Sequence, residues 1–284
     1  MRKTFPDTSL SLLFAIIRKK KVRVNEVVGK AAQMLCENDV LKIYENLPHN
    51  IPQKTFEQKK VSGKIKEKLN FVLRNSDFAV INKPCGLASQ SGSGVSEEEA
   101  LAGMLDIWAK EEGLDFKPAL VHRLDKETSG LIIAALSGDA LRKFANMFKE
   151  RKIKKEYLAL VKGKMPQKSG KIRMPLPGDT RISESVWKLE KSFGECDLLR
   201  VSLETGRKHQ IRIHFAQIGH PLLGDSRYGD FTLNKKFKKE FGLLRLFLHS
   251  TLLEFNWRDK TIRLKAGLPD ELEKVFSKLP PCPT

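Results

Sequence analysis

The chain has 284 residues and a formal net charge of +18, because 52 lysine and arginine residues outnumber 34 aspartate and glutamate residues. Its content of 40% hydrophobic and 30% charged residues excludes wholesale disorder and predicts one large core plus a small accessory module. A surface this basic attracts polyanions, with nucleic acid the first candidate and an anionic membrane surface the second. The four cysteines form no C-x-x-C pair, which indicates a reducing cytoplasm and no disulfide framework.

The first predicted element is a helix over residues 9–20. Its apolar run LSLLFAII follows basic residues, as in a signal peptide, but leads into RKKK and not into a small-residue cleavage site. The run is also far shorter than the roughly 18 apolar residues of a membrane-spanning helix. We therefore expect a helix that does not enter a membrane, followed by short strands at 22–25 and 39–44.

Positive charge is concentrated in the first quarter of the chain. Residues 1–70 contain 15 basic and 7 acidic residues, whereas residues 71–284 contain 37 and 27. This difference predicts a separate basic module over residues 1–62 and a larger domain over residues 68–284. The stretch 45–68 has prolines, lysines and no hydrophobic period, which is typical of a linker.

From residue 71 onward, strand patterns alternate with helix patterns. We expect helices at 97–112, 139–149 and 208–218, and strands at 78–82, 120–125, 131–136, 156–162, 187–190 and 198–203. This mixture predicts an α+β domain with a mixed, mostly antiparallel sheet and flanking helices.

The segment VHRLDKETSG (121–130) contains the first candidate for chemistry. If residues 122–125 are extended, Arg123 and Asp125 share one face of the strand. Asp125 then lies where the strand breaks into a turn beside a buried apolar strand, a suitable place for a reactive carboxylate. A turn-capping aspartate paired with Arg123 explains the same residues, and the segment alone does not decide between the two.

A second segment, residues 205–229, predicts a helix whose apolar stripe belongs to the core and whose polar residues are free for other roles. The polar candidates for a phosphate or carboxylate partner are Arg207, Lys208, Gln210 and Arg212. Its three histidines lack a further ligand at short spacing, so we predict no metal site. In a third segment, Tyr157 opens a buried strand, where a tyrosine either packs in the core or stacks on an extruded base.

Together and in this order, these segments resemble the RluA family of pseudouridine synthases. The matching stretches are INKPCGL, HRLDKETSG, KKEYLALVKG, GRKHQIRIHFAQIGHPLLGDSRYG and RLFLH, and they cover residues 71 to about 258. The resemblance implies an isomerase that converts uridine in RNA to pseudouridine without a cofactor.

The resemblance also implies roles for individual residues. Asp125 would act at the ribose, Arg212 would stabilise its charge, Tyr157 would stack on the uracil ring, and Arg123 would occupy the gap left by the base. Lys83, Arg207 and Lys208 are implied contacts to the RNA backbone.

The basic module resembles the ribosomal S-four-type RNA-binding domain, in which a basic helix leads into a hairpin. The implied RNA contacts are Lys19, Lys20, Lys21 and Arg23. The usual Arg-Leu-Asp at the head of the first helix is missing, so the sequence leaves open whether the module is complete. The module and the RYGDF…RLFLHS stretch are similar to the RluC-type branch, which implies large-subunit (23S) ribosomal RNA as the substrate of a cytoplasmic monomer.

Three alternatives stay open at this point. A synthase that acts on transfer RNA would share the same motifs. A non-catalytic RNA-binding or ribosome-assembly protein would explain the charge, but would not need Asp125, Tyr157 and Arg212. A metal-dependent hydrolase is the third.

Overall fold

The computed structural model describes residues 10–29, 39–44, 69–92 and 94–281. By its internal contacts the chain divides into two units, Met1–Lys60 and Val61–Thr284. The linker predicted at 45–68 lies outside the described residues. Within them, no helix is long and apolar enough to cross a membrane.

The described part of the first unit contains one helix and a three-stranded antiparallel sheet. Its described elements are α1 (Leu10–Arg18), β1 (Val22–Val24), β2 (Val27–Val28) and β3 (Leu41–Ile43), with strand order β2-β1-β3. Asn25 and Glu26 form the two-residue turn between β1 and β2 with φ values of 48° and 66°, the left-handed backbone that tight hairpins use. The Asn25 amide donates to Asp39 at 2.6 Å and accepts from the Val40 N–H at 2.8 Å, which joins the hairpin to β3.

The second unit is built around one large sheet. Its helices are α2 (Leu101–Glu111), α3 (Gly138–Lys149), α4 (Gln210–Gln217), α5 (Phe231–Phe241) and α6 (Asp270–Lys278). Its strands are β4 (Phe71–Arg74), β5 (Phe78–Lys83), β6 (Ala119–Leu120), β7 (Ser129–Ala135), β8 (Lys154–Lys162), β9 (Ser169–Pro175), β10 (Ile182–Phe193), β11 (Cys196–Leu203), β12 (Leu248–Trp257) and β13 (Lys260–Lys265).

The main sheet has the strand order β4-β5-β7-β12-β8-β11-β10-β9, with β13 beside β12 and β6 beside β7. Among the described strands, only β7 and β12 run parallel to each other, and the other neighbours are antiparallel. The mixed, mostly antiparallel sheet with flanking helices is therefore confirmed.

Both faces of the sheet centre are covered. Along β7, Ile132 and Ala134 belong to one core and Leu131 and Ile133 to another, because successive side chains point to opposite faces. Helices α2 and α4 pack on the first core, whereas α3 packs on the second. This burial on both faces explains why the sequence of β7 is continuously apolar and not alternating.

The parallel pairing depends on a glycine. Gly130 has φ of +111°, and a Cβ atom there would lie 2.2 Å from the carbonyl oxygen of Ser250 on β12. Only glycine permits this approach. It holds the chain just before β7, including Asp125, close to the start of β12.

The strand predicted at 120–125 is wrong beyond Leu120, because residues 121–125 form a loop. The Val121 N–H still donates to the Ile133 carbonyl of β7 at 3.1 Å, and beyond Val121 side chains take the place of a neighbouring strand. The Ser89 hydroxyl donates to the Leu124 carbonyl at 2.6 Å and accepts from its N–H at 3.1 Å. The His122 ring accepts a hydrogen bond from the Ile133 N–H at 3.1 Å.

Candidate active site

A small cleft lies between the loop before β7, the end of β11 and the start of α4. Seven residues singled out in the sequence line it together: Arg123, Asp125, Tyr157, Arg207, Lys208, Gln210 and Arg212. They come from three separate stretches of the chain, and the sheet brings them to one place.

Asp125 lies at the base of this cleft, with 14% of its side chain exposed. Its backbone carbonyl accepts from the Thr128 N–H at 3.0 Å, which closes a tight turn. Its two carboxylate oxygens face different basic groups: Oδ2 is 3.8 Å from Nη1 of Arg212, and Oδ1 is 3.8 Å from Nε2 of His209. The carboxylate thus has basic groups nearby while both oxygens stay free of short hydrogen bonds to them.

Arg212 has a closer partner than the one predicted. Its Nε and Nη2 each donate to a carboxylate oxygen of Asp225 at 2.7 Å, and Nη2 is also 2.9 Å from Glu127. Nη1 alone remains to face Asp125. The motif resemblance pairs Arg212 with Asp125, but the hydrogen-bonded partner of Arg212 is Asp225, 13 residues further along the chain.

Asp225 orients this arginine from a fully buried position. Its Oδ1 also accepts from the backbone N–H groups of Arg227 and Tyr228 at 2.8 and 3.0 Å. Burial would raise the pKa of Asp225, but the hydrogen bonds from Arg212 and these N–H groups outweigh it and hold the pKa below its ordinary value. The guanidinium therefore has a permanent anionic support inside the protein.

His209 is a second residue of the site that the sequence motifs do not predict. It has φ of 56° and immediately precedes α4, which turns its ring towards the cleft. Its Nδ1 is 3.0 Å from the Tyr228 hydroxyl, so Nε2 is left facing Asp125. Burial lowers the pKa of His209, and the Asp125 charge only partly offsets this. A histidine immediately before a helix with an apolar stripe gave no signal of this role in the sequence.

Tyr157 lies in the wall of the cleft on β8, with only 6% of its surface exposed. Burial raises the pKa of its phenol, and the nearby Asp125 carboxylate adds to this effect. The hydroxyl is therefore neutral at physiological pH. A buried, neutral aromatic ring beside the carboxylate is suited to stacking on a planar base.

The predicted backbone-contacting residues differ in their accessibility. Arg123 and Lys208 are exposed at the cleft. Arg207 is half-buried, where its guanidinium donates to the Arg181 carbonyl and lies 3.4 Å from Asp179, so it ties the β9–β10 loop to the cleft.

Lys83 does not fit the predicted RNA contact, because it is fully buried. Its ammonium group donates to the carbonyl groups of Pro84 at 2.9 Å and Leu87 at 2.8 Å. Burial lowers the pKa of Lys83 to about 7. The lysine belongs to the framework beneath the cleft, and its side chain offers no surface to RNA.

Hydrogen bonds from buried and half-buried side chains support the turn that contains Asp125 and Glu127. Nη2 of Arg245 donates to the Ser129 hydroxyl at 2.8 Å and to the carbonyl of Glu127 at 3.3 Å. The Ser129 hydroxyl also lies 2.9 Å from Nδ1 of His249, whose pKa burial lowers to about 4. A neutral histidine and an arginine thus fix the backbone on which the carboxylates stand.

The histidines of residues 205–229 do not converge. His209 lies against Tyr228, His214 against Ser185 and His220 against the Lys162 carbonyl. Within the described ranges, no group of three histidine, cysteine or acidic side chains is placed to hold a metal ion.

In the first unit, the four predicted RNA contacts Lys19, Lys20, Lys21 and Arg23 are all exposed. The Arg23 guanidinium lies 5.4 Å from the centre of the Tyr44 ring.

Comparison with known proteins identifies the family from the sequence. The family model described as RNA pseudouridylate synthase matches residues 77–217. The ribosomal large subunit pseudouridine synthase C of Buchnera aphidicola subsp. Acyrthosiphon pisum (strain APS) is 34% identical over 270 residues, covering 90% of this chain and 83% of that protein. The chain belongs to the RNA pseudouridine synthase family.

Further relatives agree with this assignment. The synthase is 32% identical over 290 residues to the protein of the same name from Escherichia coli O157:H7, covering 95% of this chain and 88% of the relative. Its fold is similar to that of Human RNA Pseudouridylate Synthase Domain Containing 4, with a TM-score of 0.65 at 22% identity over 74% of this chain and 92% of the other. The protein is thus an RNA pseudouridine synthase, an isomerase.

Proposed function

We propose that this synthase isomerises uridines of large-subunit ribosomal RNA, with Asp125 as the residue that acts on the ribose. The names of its relatives support the substrate. The observation that carries the assignment of residues is the convergence of Asp125, Tyr157 and Arg212 in one cleft. We also propose that the enzyme acts in the cytoplasm as a monomer, since one chain supplies all the side chains of the cleft.

The reaction exchanges one bond for another without a change in oxidation state. The bond from the ribose C1′ to N1 of uracil breaks, the ring turns, and C1′ joins to C5. The proton on C5 leaves and a proton is gained at N1, so the atoms balance. The step needs an anion at the sugar and a site that keeps the detached ring in place.

Asp125 is suited to the first requirement. Its carboxylate is partly exposed in the cleft, and Nη1 of Arg212 lies 3.8 Å away on one side. Because Asp225 and Glu127 hold the rest of the guanidinium, the arginine does not close onto Asp125 in a short hydrogen-bonded pair. The carboxylate oxygens of Asp125 then remain accessible to the ribose, as nucleophile or as base.

Tyr157 and Arg123 are suited to the second requirement. A uridine within folded RNA has to leave its stack, which costs a few kcal/mol. The buried ring of Tyr157 offers a flat surface for the uracil. The exposed guanidinium of Arg123, two residues before Asp125, can occupy the gap left in the RNA.

The test is Asp125→Asn, assayed by release of tritium from large-subunit ribosomal RNA labelled at C5 of uridine. We expect the variant to fold and to bind RNA with unchanged affinity while it releases no label. Asp259→Asn, in the exposed turn between β12 and β13, is the matched control and should retain the wild-type rate. Release by Asp125→Asn at the wild-type rate contradicts the role of Asp125. Wild-type release from transfer RNA but not from ribosomal RNA contradicts the proposed substrate.

We further propose that residues 1–62 form an S-four-type module that binds the same RNA, with residues 68–284 as the catalytic domain. Support comes from the exposed basic residues Lys19, Lys20, Lys21 and Arg23. Replacing these four residues with glutamine should weaken RNA binding. The slope of the logarithm of the binding constant against the logarithm of the salt concentration should become less steep by about 0.7 for each phosphate that is no longer neutralised. An unchanged slope in filter-binding titrations means that this surface does not touch RNA.

A further inference from the structure

A second cavity, of about 510 Å³, lies next to the catalytic cleft. Its walls come from the turn between α3 and β8, the end of β11 and the end of β12, and Leu203 lines both this cavity and the cleft. Four basic side chains line it against two acidic ones. The basic residues are Arg151, Lys152, Lys154 and Lys155, and the acidic ones are Glu204 and Glu254.

Three of these six charges are compensated by ion pairs. Lys152 pairs with Glu150 at 2.7 Å, Lys154 with Glu156 at 2.9 Å, and Glu254 with Arg263 at 3.1 Å. The ammonium group of Lys155 has no hydrogen bond and no ion pair within 4.0 Å in the described parts of the chain, although only 8% of the surface of this residue is exposed. Its ammonium group lies over the Phe148 ring, 4.9 Å from the ring centre.

An ammonium group that loses most of its water without gaining a hydrogen bond from the protein is destabilised, and Nζ of Lys155 reaches solvent only on the side of the cavity. Burial accordingly lowers the pKa of Lys155, and the more distant charge of Glu204 offsets this only in part. A lysine that serves only to pack the core would be better replaced by an apolar residue. An ammonium group without an acceptor is what a binding site for an anion presents.

The position of Lys155 links the two cavities. It stands two residues before Tyr157 on β8, so the two side chains share one side of the strand. The place that a Cβ atom would take on Gly206, which lines the catalytic cleft, is 3.5 Å from Nζ of Lys155. An anion bound to Lys155 therefore lies beside the uracil site.

Arg151 provides a second cation at the cavity. It has φ of 56° just after α3, a backbone conformation that usually falls to glycine or asparagine at the end of a helix. Its side chain is exposed, and it forms no ion pair with any residue of the described ranges. This exposed guanidinium adds a second positive charge at the mouth of the cavity.

We propose that this cavity binds a phosphate of the RNA strand next to the target uridine, with Lys155 as its main contact and Arg151 at its mouth. The inference rests on the proposed function, because it assumes that the strand enters the neighbouring cleft. The bound phosphate supplies the acceptor that Lys155 lacks and fixes the direction in which the strand leaves the uracil site. These contacts position the backbone and do not read the base.

The experiment compares Lys155→Met with the wild type and with Lys274→Met, which removes an exposed charge from α6. RNA affinity is measured by filter binding of a large-subunit ribosomal RNA transcript over a series of KCl concentrations. For Lys155→Met we expect weaker binding and a salt slope smaller by about 0.7, the value for one phosphate of a single strand. Lys274→Met should match the wild type.

Thermal unfolding of the same variants separates binding from structure. Because methionine fills the space without an unpaired charge, Lys155→Met should have a melting temperature equal to or above that of the wild type. The proposal is overturned if Lys155→Met has the salt slope of the wild type, or if its melting temperature is clearly below that of the wild type. If wild-type protein binds with the expected slopes but releases no tritium from the RNA, the proposed function fails while the phosphate site stands.

Discussion

The support that Asp225 gives to Arg212 can be tested by the substitution Asp225→Asn. In the wild type, the two carboxylate oxygens accept two hydrogen bonds of 2.7 Å from the guanidinium and two more from backbone N–H groups. Asparagine keeps one oxygen but places an NH₂ group against an N–H donor of Arg212. The guanidinium is then buried without its main counter-charge.

The expected cost follows from this burial. Removing one partner of a buried ion pair destabilises a protein by about 3–5 kcal/mol. Since asparagine still accepts some of the hydrogen bonds, we expect about 3 kcal/mol, or a fall in melting temperature of about 6–12 °C for a domain of this size. Activity should fall further, because Nη1 of Arg212 is no longer aimed at Asp125, and a misplacement of about 1 Å costs on the order of 100-fold in rate.

The assay combines urea unfolding with single-turnover tritium release at a temperature where the variant is fully folded. Asp230→Asn is the matched control, because asparagine keeps the cap of α5 and only the partly exposed ion pair with Lys162 is lost, which should cost less than about 1 kcal/mol without a change in rate. A folded Asp225→Asn variant with the wild-type rate would show that Arg212 does not need this orientation. An Asp225→Asn variant as stable as the wild type would refute the expected loss of about 3 kcal/mol.

Two further predictions concern the framework. Gly130→Ala should destabilise the protein by about 3 kcal/mol or more in urea unfolding, because its Cβ would lie 2.2 Å from the Ser250 carbonyl oxygen. Gly113→Ala, also at positive φ but with open space around it, should cost only about 1 kcal/mol, and equal losses would contradict the steric explanation. Burial lowers the pKa of His249 from 6.5 to about 4, so between these two pH values the unfolded chain binds a proton that the folded protein does not. The free energy of unfolding is therefore highest above pH 6.5 and falls by up to about 1.4 kcal/mol per pH unit as the pH falls towards 4. His249→Gln should flatten this part of the curve of unfolding free energy against pH, and an unaltered slope would show that the buried ring does not titrate there.

Much of the fold could be predicted from the sequence where local pattern and tertiary environment agree. The apolar run of β7 and the amphipathic α3 appear within two residues of their predicted limits. The prediction failed at residues 121–125, where the hydroxyl of Ser89 and the ring of His122 replace the partner strand. No periodicity within those five residues could reveal this, since Ser89 lies 35 positions away from Leu124.

The candidate site, like the fold, could be predicted from the sequence only in part. Motif resemblance located the groups that line the cleft, because Asp125, Tyr157 and Arg212 lie in distinctive stretches. It could not locate what holds those groups, because the supporting contacts join separate parts of the chain: Arg245 reaches the Glu127 carbonyl across 118 positions. It also misjudged Lys83, whose charge predicts a surface position, whereas three backbone carbonyl groups within 3.5 Å compensate its burial.

Lys83 and Lys155 show why burial alone does not assign a function to a charged side chain. Both are lysines in the framework of one sheet, and burial lowers the pKa of both. The ammonium group of Lys83 is surrounded by carbonyl oxygens, so its hydrogen bonds are complete without a ligand. That of Lys155 lies over an aromatic ring, has no hydrogen-bond acceptor in the described parts of the chain and faces a cavity. The two lysines differ in the hydrogen-bond acceptors that surround each ammonium group. These acceptors come from distant parts of the chain, so the net positive charge of the sequence indicates RNA binding but cannot identify the lysine beside the uracil site.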